Sequence, residues 1–312
     1  MALETSIRRV VHLLAAMAIA LAGAGEMSQA ADREPAKKLF GTAELPAEME
    51  PQAYGFYSKG CLAGGVALPV DGPHWQAMRL SRNRNWGHPQ LVETIQQLSE
   101  DAARYDGWPG LLVGDMSQPR GGPMLTGHAS HQVGLDADIW LTPMPNRRLT
   151  GQDRETISAI SMLRPNSVEI DPKVWTDAHA RLIMRAAGYP QVQRILVHPA
   201  IKKKLCQTWM GNRKLLNKVR PYYGHYYHMH VRIRCPGDSR ACRAQNAVPA
   251  DDGCGEPLAW WLSDEPWKGP STPPKPKPPV PMSSMPQECR AVATAQLQMP
   301  TLTNEPITRP RL

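Results

Sequence analysis

A chain of 312 residues with a formal charge of +8 is long enough for one large domain or two modest ones, and basic enough to favour an anionic partner. No RNP-like sequence, helix-turn-helix signal or run of base-stacking aromatics accompanies the charge, so it points away from nucleic acid and towards an anionic envelope surface or polymer.

Residues 1–30 read as a secretory signal. Arg8 and Arg9 form the basic start, Val10 to Ala24 the apolar run and Ser28-Gln29-Ala30 a small-residue cleavage site. The run is too short for a comfortable membrane span and no second one follows, so the expected product is exported, with no stable membrane span after cleavage. Residues 31–60 form a polar lead-in, and residues 61–267 have the size of one globular domain. From 268 to 312 the chain is rich in proline and lysine and reads as an extended tail, with Cys289 as the one point to tie it back. Six cysteines in an exported chain argue for disulfides, and the short loop between Cys235 and Cys242 makes that pair the first choice.

Within the domain, HPQLVETIQQLSEDAARY places Leu91, Ile95, Leu98 and Ala102 on one helical stripe. DAHARLIMRAAG predicts a second helix, started by Asp177 and closed by Gly188, and a third includes Ile201 to Cys206. Strands are predicted at 111–113, 135–141, 194–197 and 228–234. Helices and strands without strict alternation predict an α+β fold. Its sheet is expected to be mostly antiparallel, with helices on its core face, in a single disulfide-stapled domain.

Two of these strands carry chemistry. In LDADIWL, Leu135, Ala137, Ile139 and Leu141 point one way, and Asp136, Asp138 and Trp140 the other. In HMHVRIR, Met229, Val231 and Ile233 oppose His228, His230, Arg232 and Arg234. If the strands are neighbours, carboxylates and imidazoles converge on one face as a ligand set that zinc accepts. Either motif alone is an ordinary polar strand face. Together, and with His131 seven residues before Asp138, they favour a metal site. No G-x-S-x-G elbow, S-x-x-K/K-T-G pair or H-E-x-x-H helix offers another hydrolytic centre. His74, His88 and His179 read as surface residues, His198 as a turn or cap, and the tryptophans as core or rim packing.

GHASHQVGLDADIW followed by GHYYHMHVRIRCP resembles the penicillin-insensitive murein endopeptidase family, which is related to zinc D-Ala-D-Ala carboxypeptidases and dipeptidases. The likeness extends to SQPRGGPM, LVHPAIKKKLC and DDGCGEPL. It implies that His131, Asp138 and His230 hold Zn2+, with His228 as general base or oxyanion donor and His225 as a second active-site imidazole. His128 stands as either an additional ligand or a group behind the ligands, and Asp136 as the orienter of an imidazole. Arg120 is expected either to meet a substrate carboxylate or to be structural. The implied activity is periplasmic hydrolysis of D-alanyl–meso-diaminopimelyl cross-links in peptidoglycan by a metal-activated water, with no acyl-enzyme for a β-lactam to trap. Two other readings stay open: a carboxypeptidase, dipeptidase or LD-endopeptidase acting on stem peptides, and a non-catalytic wall-binding protein.

Overall fold

The computed structural model describes residues 34–269 and 278–295; the expected signal lies outside the described residues, as do 270–277 and 296–312 of the expected tail. In chain order come helix α1 (Ala36–Gly41), a hairpin of β1 (Gln52–Phe56) and β2 (Lys59–Ala63), and short strands β3 (Val66–Ala67), β4 (Trp75–Ala77) and β5 (Trp86–Gly87). Helix α2 (Pro89–Tyr105) leads to β6 (Leu111–Val113) and β7 (Asp136–Trp140). The second half comprises α3 (Gly151–Thr156), α4 (Asp177–Gly188), β8 (Val192–Val197), α5 (Pro199–Thr208), β9 (Val219–Pro221), β10 (His228–Ile233), α6 (Glu256–Leu262) and α7 (Glu288–Thr294).

The main sheet has the order β4-β6-β7-β10-β8-β9. Its three inner pairings are antiparallel, whereas β4/β6 and β8/β9 are parallel. The fold is therefore the expected α+β single domain, with a mixed rather than a purely antiparallel sheet. The parallel edges follow from connectivity: α2 carries the chain from β4 to β6, and α5 carries it from β8 to β9, crossovers long enough to return a strand in the same direction.

Ala137 and Ile139 of β7 and Met229, Val231 and Ile233 of β10 are fully buried in one core with Leu91, Ile95 and Leu98 of α2 and Leu182, Ile183 and Ala186 of α4. Each large apolar side chain in it contributes about 2 kcal/mol by leaving water. The helix entries use histidine. His88 Nδ1 accepts from the Gln90 N–H and His198 Nδ1 from the Ala200 N–H, each followed by a proline in the first turn. His179 Nδ1 accepts from the Thr176 N–H, while its Nε2–H donates to the Leu141 carbonyl at 3.0 Å. His198 thus serves as the expected cap. His88 and His179 are buried, not surface residues, because each turns Nδ1 inward to cap a packed helix end.

Disulfides join Cys235 to Cys242, as the loop length suggested, Cys206 to Cys254, and Cys61 to Cys289. The last brings residues 278–295 back onto β2. Met282, Met285, Cys289 and Val292 pack with Ala36, Phe40 and Ala63 in a second, smaller core. An extended tail does not describe this stretch. Its four apolar residues fall at helix-like spacing, a stripe masked by the surrounding prolines.

Candidate metal centre and active site

Strands β7 and β10 pair so that His230 lies opposite Asp138, Arg232 opposite Asp136 and His228 opposite Trp140. The two polar strand faces predicted from alternation therefore converge. They are also buried: none of these six residues is more than 8% exposed. Charged groups are tolerated there only because they pair with one another.

Asp138 is the centre of the group. Its Oδ1 lies 3.2 Å from His230 Nδ1, 3.4 Å from His131 Nε2 and 3.6 Å from His228 Nε2. Its Oδ2 lies 3.6 Å from His128 Nδ1. Burial pushes this carboxyl up, but the surrounding imidazoles of His131 and His228 outweigh burial and hold it well below the usual carboxylate range.

The loop between β6 and β7 delivers His128 and His131. His131 sits in the left-handed region at φ 66°, which side chains other than glycine seldom adopt. Two bonds impose it: the His131 N–H donates to Asp136 Oδ2 at 3.1 Å, and Ser117 Oγ donates to the His131 carbonyl at 2.7 Å. His128, at the outer edge, places Nε2 3.0 Å from Asp115 Oδ2. His230 is held in the same way, its Nε2 2.9 Å from Asp136 Oδ1. A carboxylate behind an imidazole fixes its tautomer and aims the other nitrogen forward, as metal ligands require. Burial pushes the Asp136 carboxyl up, but Arg232 and His230 outweigh it and keep it ionised; Asp115 is held at about 2, where bonds from His128 and Arg84 overcome burial.

His128, His131 and Asp138 each offer a ligand atom, all within 4.8 Å of one another, and the His230 ring lies 4.6 Å from that of His131. Among the described residues, both ring nitrogens of His131, Asp138 Oδ1 and His228 Nδ1 are buried without a hydrogen-bond partner. An orphaned buried polar atom costs about 1–3 kcal/mol. Several around one point fit a cation, and two or more imidazoles with a carboxylate are a donor set that zinc accepts.

His228 and His225 border this group. Burial lowers the pKa of His228, so its ring is neutral at pH 7. His225, in the loop before β10 at φ 55°, has its ring 4.8 Å from that of His228. Its Nδ1–H donates to the Tyr223 carbonyl, which leaves Nε2 as a free acceptor; burial and the neighbouring imidazoles push its pKa down to about 4. A cavity of about 350 Å³ opens on Asp138, His128 and His228, and Arg79 and Arg82 also line it. Tyr226 also borders a second groove, along residues 161–169.

Arg120 is not in this cleft, which corrects the substrate-binding alternative. It is 4% exposed, and its guanidinium donates to the carbonyls of Leu45, Val292 and Ala293. Its Nε and Nη1 are thus spent on the backbone, and it does not line the cavity beside the cluster. Sequence reading missed Asp115 and its two arginines, Arg82 and Arg84. The available signal was a lone aspartate two residues past the LLV strand, too common a pattern to single out.

A buried imidazole–carboxylate cluster beside an open cavity, with neutral imidazoles next to it, fits a metal-dependent hydrolase, and the family match makes the class a metallopeptidase. The family model described as penicillin-insensitive murein endopeptidase matches residues 53–294, and the chain belongs to that family. It is 45% identical to the penicillin-insensitive murein endopeptidase of Haemophilus influenzae over 231 residues, 73% of this chain and 79% of that protein. The proteins of that name from Klebsiella pneumoniae subsp. pneumoniae and Yersinia enterocolitica are 42% and 40% identical, covering 77% and 79% of this chain and 85% and 87% of their own lengths.

Proposed function

We propose that the chain is a zinc DD-endopeptidase of the periplasm that hydrolyses D-alanyl–meso-diaminopimelyl cross-links of peptidoglycan. The observation that carries this reading is the set of unpartnered buried atoms on His131, Asp138 and His228, gathered at the floor of a cleft. In this reading His131, Asp138 and His230 hold the metal, with His128 at its outer edge. Bound zinc supplies Lewis acidity, which polarises a carbonyl and makes water more acidic.

The protein's own groups do the rest. Asp136 and Asp115 orient the imidazoles of His230 and His128. His228 and His225, both neutral, are free to take up a proton during attack and return it to the leaving amine. A second groove along residues 161–169, bordered by the same Tyr226, offers room for chain on a further side of the site, which suits a cross-link better than a free terminus. Three disulfides favour an oxidising compartment, consistent with the signal read in residues 1–30. Among the described residues no helix is long and apolar enough to cross a membrane.

The test is digestion of purified sacculi and defined muropeptide dimers by the mature protein, with and without chelator, beside His131→Ala. Conversion of dimers to monomers, abolished by chelator and by the substitution, is the expected result. Release of free D-alanine with dimers intact would instead identify a carboxypeptidase, and dimers untouched by the zinc-loaded protein a binder.

A further inference from the structure

We propose that Arg82 forms a carboxylate-binding subsite in the active-site cleft and selects substrates carrying a free carboxylate beside the scissile amide. The inference rests on the peptidoglycan reading above and deepens it.

Arg82 ends a single tight turn, Leu80–Arg82, flanked on both sides by non-glycine residues in the left-handed region, Arg79 at φ 57° and Asn83 at φ 51°. Such backbone persists only where the surroundings impose it, and it gathers at ligand-binding positions. Here every flank is tied. The Arg79 guanidinium donates to the carbonyls of Arg154 and Ile157, both at 2.7 Å, and lies over the Trp140 ring. Ser81 bonds Glu155 through its N–H and its hydroxyl. Asn83 donates to the Glu44 carbonyl and accepts from the Trp86 indole. The turn is thus fixed from three directions, and Arg82 is the side chain it presents to the cavity.

Arg82 is also the member of its cluster with capacity to spare. Asp115 is already engaged by Arg84 at 2.8 Å and by His128 at 3.0 Å, both on Oδ2. Arg82 reaches the same carboxylate at 3.1 and 3.2 Å through Nη1 alone, which leaves Nε and Nη2 without a protein acceptor among the described residues, on a side chain that lines the cavity. Its side chain is 47% exposed, against 9% for Arg84 and 3% for Asp115. A guanidinium offers a planar fork that matches a carboxylate and is matched poorly by a neutral amide. Short contacts lead from Arg82 through Asp115 and His128 to Asp138, which puts the fork within a residue or two of the reacting bond.

A cross-linked stem peptide presents two such groups, the D-centre carboxylate of the diaminopimelyl residue and the α-carboxylate of the D-glutamyl residue, besides the terminal D-alanyl carboxylate of the acceptor stem, which is amidated in every dimer of the test. The test compares the zinc-loaded wild type with Arg82→Gln on three synthetic dimers: the free acid, the D-centre carboxamide and the D-glutamyl carboxamide. On the free acid, Arg82→Gln should raise KM about ten- to a hundredfold, the range for a charge-assisted pair, with kcat nearly unchanged. On one carboxamide the wild type should lose a similar factor and the variant nothing more, and that carboxamide names the group recognised. An equal loss on all three dimers would show that Arg82 acts through Asp115 and His128 and would overturn the subsite, as would no loss on any. Calorimetric binding of the monomeric products, free acid against carboxamides, repeats the comparison without turnover. A wild type that cleaves none of the dimers refutes the endopeptidase reading, while the binding comparison still decides the role of Arg82.

Discussion

His230 Nε2 lies 2.9 Å from Asp136 Oδ1, and the same carboxylate accepts from Arg232 Nε at 2.6 Å and from the backbone N–H of His131 at 3.1 Å. One fully buried aspartate therefore sets the ring of one proposed ligand and the backbone of another. Asp136→Asn should lower metal affinity about 10- to 100-fold. It should also destabilise the fold by about 3 kcal/mol, because Arg232 is left as a buried charge without its partner. Metal competition titration and thermal melting of the metal-free protein separate the two effects.

His128 has a different standing from His131. Its side chain is 27% exposed and that of His131 is fully buried, and it meets Asp138 through Oδ2, not the Oδ1 shared by the other imidazoles. His131→Ala should abolish stoichiometric zinc binding. His128→Ala should retain it with affinity reduced about tenfold, the scale of a peripheral contact. Atomic absorption after dialysis against graded chelator reads both.

Arg120→Ala should unfold more easily without changing recognition. Three backbone carbonyls lose their donor, at about 1 kcal/mol or more each. A lower melting temperature with KM on cross-linked dimers unchanged is the expected pair of results; a raised KM would restore the substrate-binding role.

Lys202 is fully buried with its Nζ–H groups on the carbonyls of Leu216 and Asp252, and burial pushes its pKa down to about 8. The unfolded chain holds that proton up to about pH 10.4, so between pH 8 and 10.4 it binds more protons than the folded chain. Stability from this group therefore rises with pH across that window, by about 3 kcal/mol in all, and is flat below pH 8. In Lys202→Met the rise should vanish, which denaturant titrations at pH 7.5 and 10 detect as a lost difference.

Cys289→Ser should cost about 2–5 kcal/mol, the range for a native bridge. Hydrogen exchange should accelerate first in 278–295 and then in the loop around Arg120, whose guanidinium spans to Val292 and Ala293.

The face that carries the site was legible because strand alternation is local and strict. The apolar runs of β7 and β10 could be buried only by turning Asp136, Asp138, His228 and His230 to the other side. Helix α4 was legible from its periodicity and bounds alone. What stayed hidden depends on distant contacts. The crossovers that make the sheet edges parallel, the capping roles of His88 and His179, and the pairing of Asp115 with His128 are fixed by tertiary packing. Arg120 is the sharpest case: its partners lie 75, 172 and 173 residues away, and no nearby pattern distinguishes a ligand-binding arginine from one that braces the backbone.

The second core sets an order of assembly. The loop that delivers His128 and His131 is flanked by Phe40 of α1, which packs so closely on Gly122 that no side chain fits there, and by Arg120, which grips the end of α7. Those two braces come from opposite ends of the described chain, and the bridge that locks the second spans 228 residues. A ribosome must therefore finish nearly the whole polypeptide before the loop is gripped from both sides. A chain stopped at 267, though it contains every proposed ligand, would present them on a loop with one brace missing.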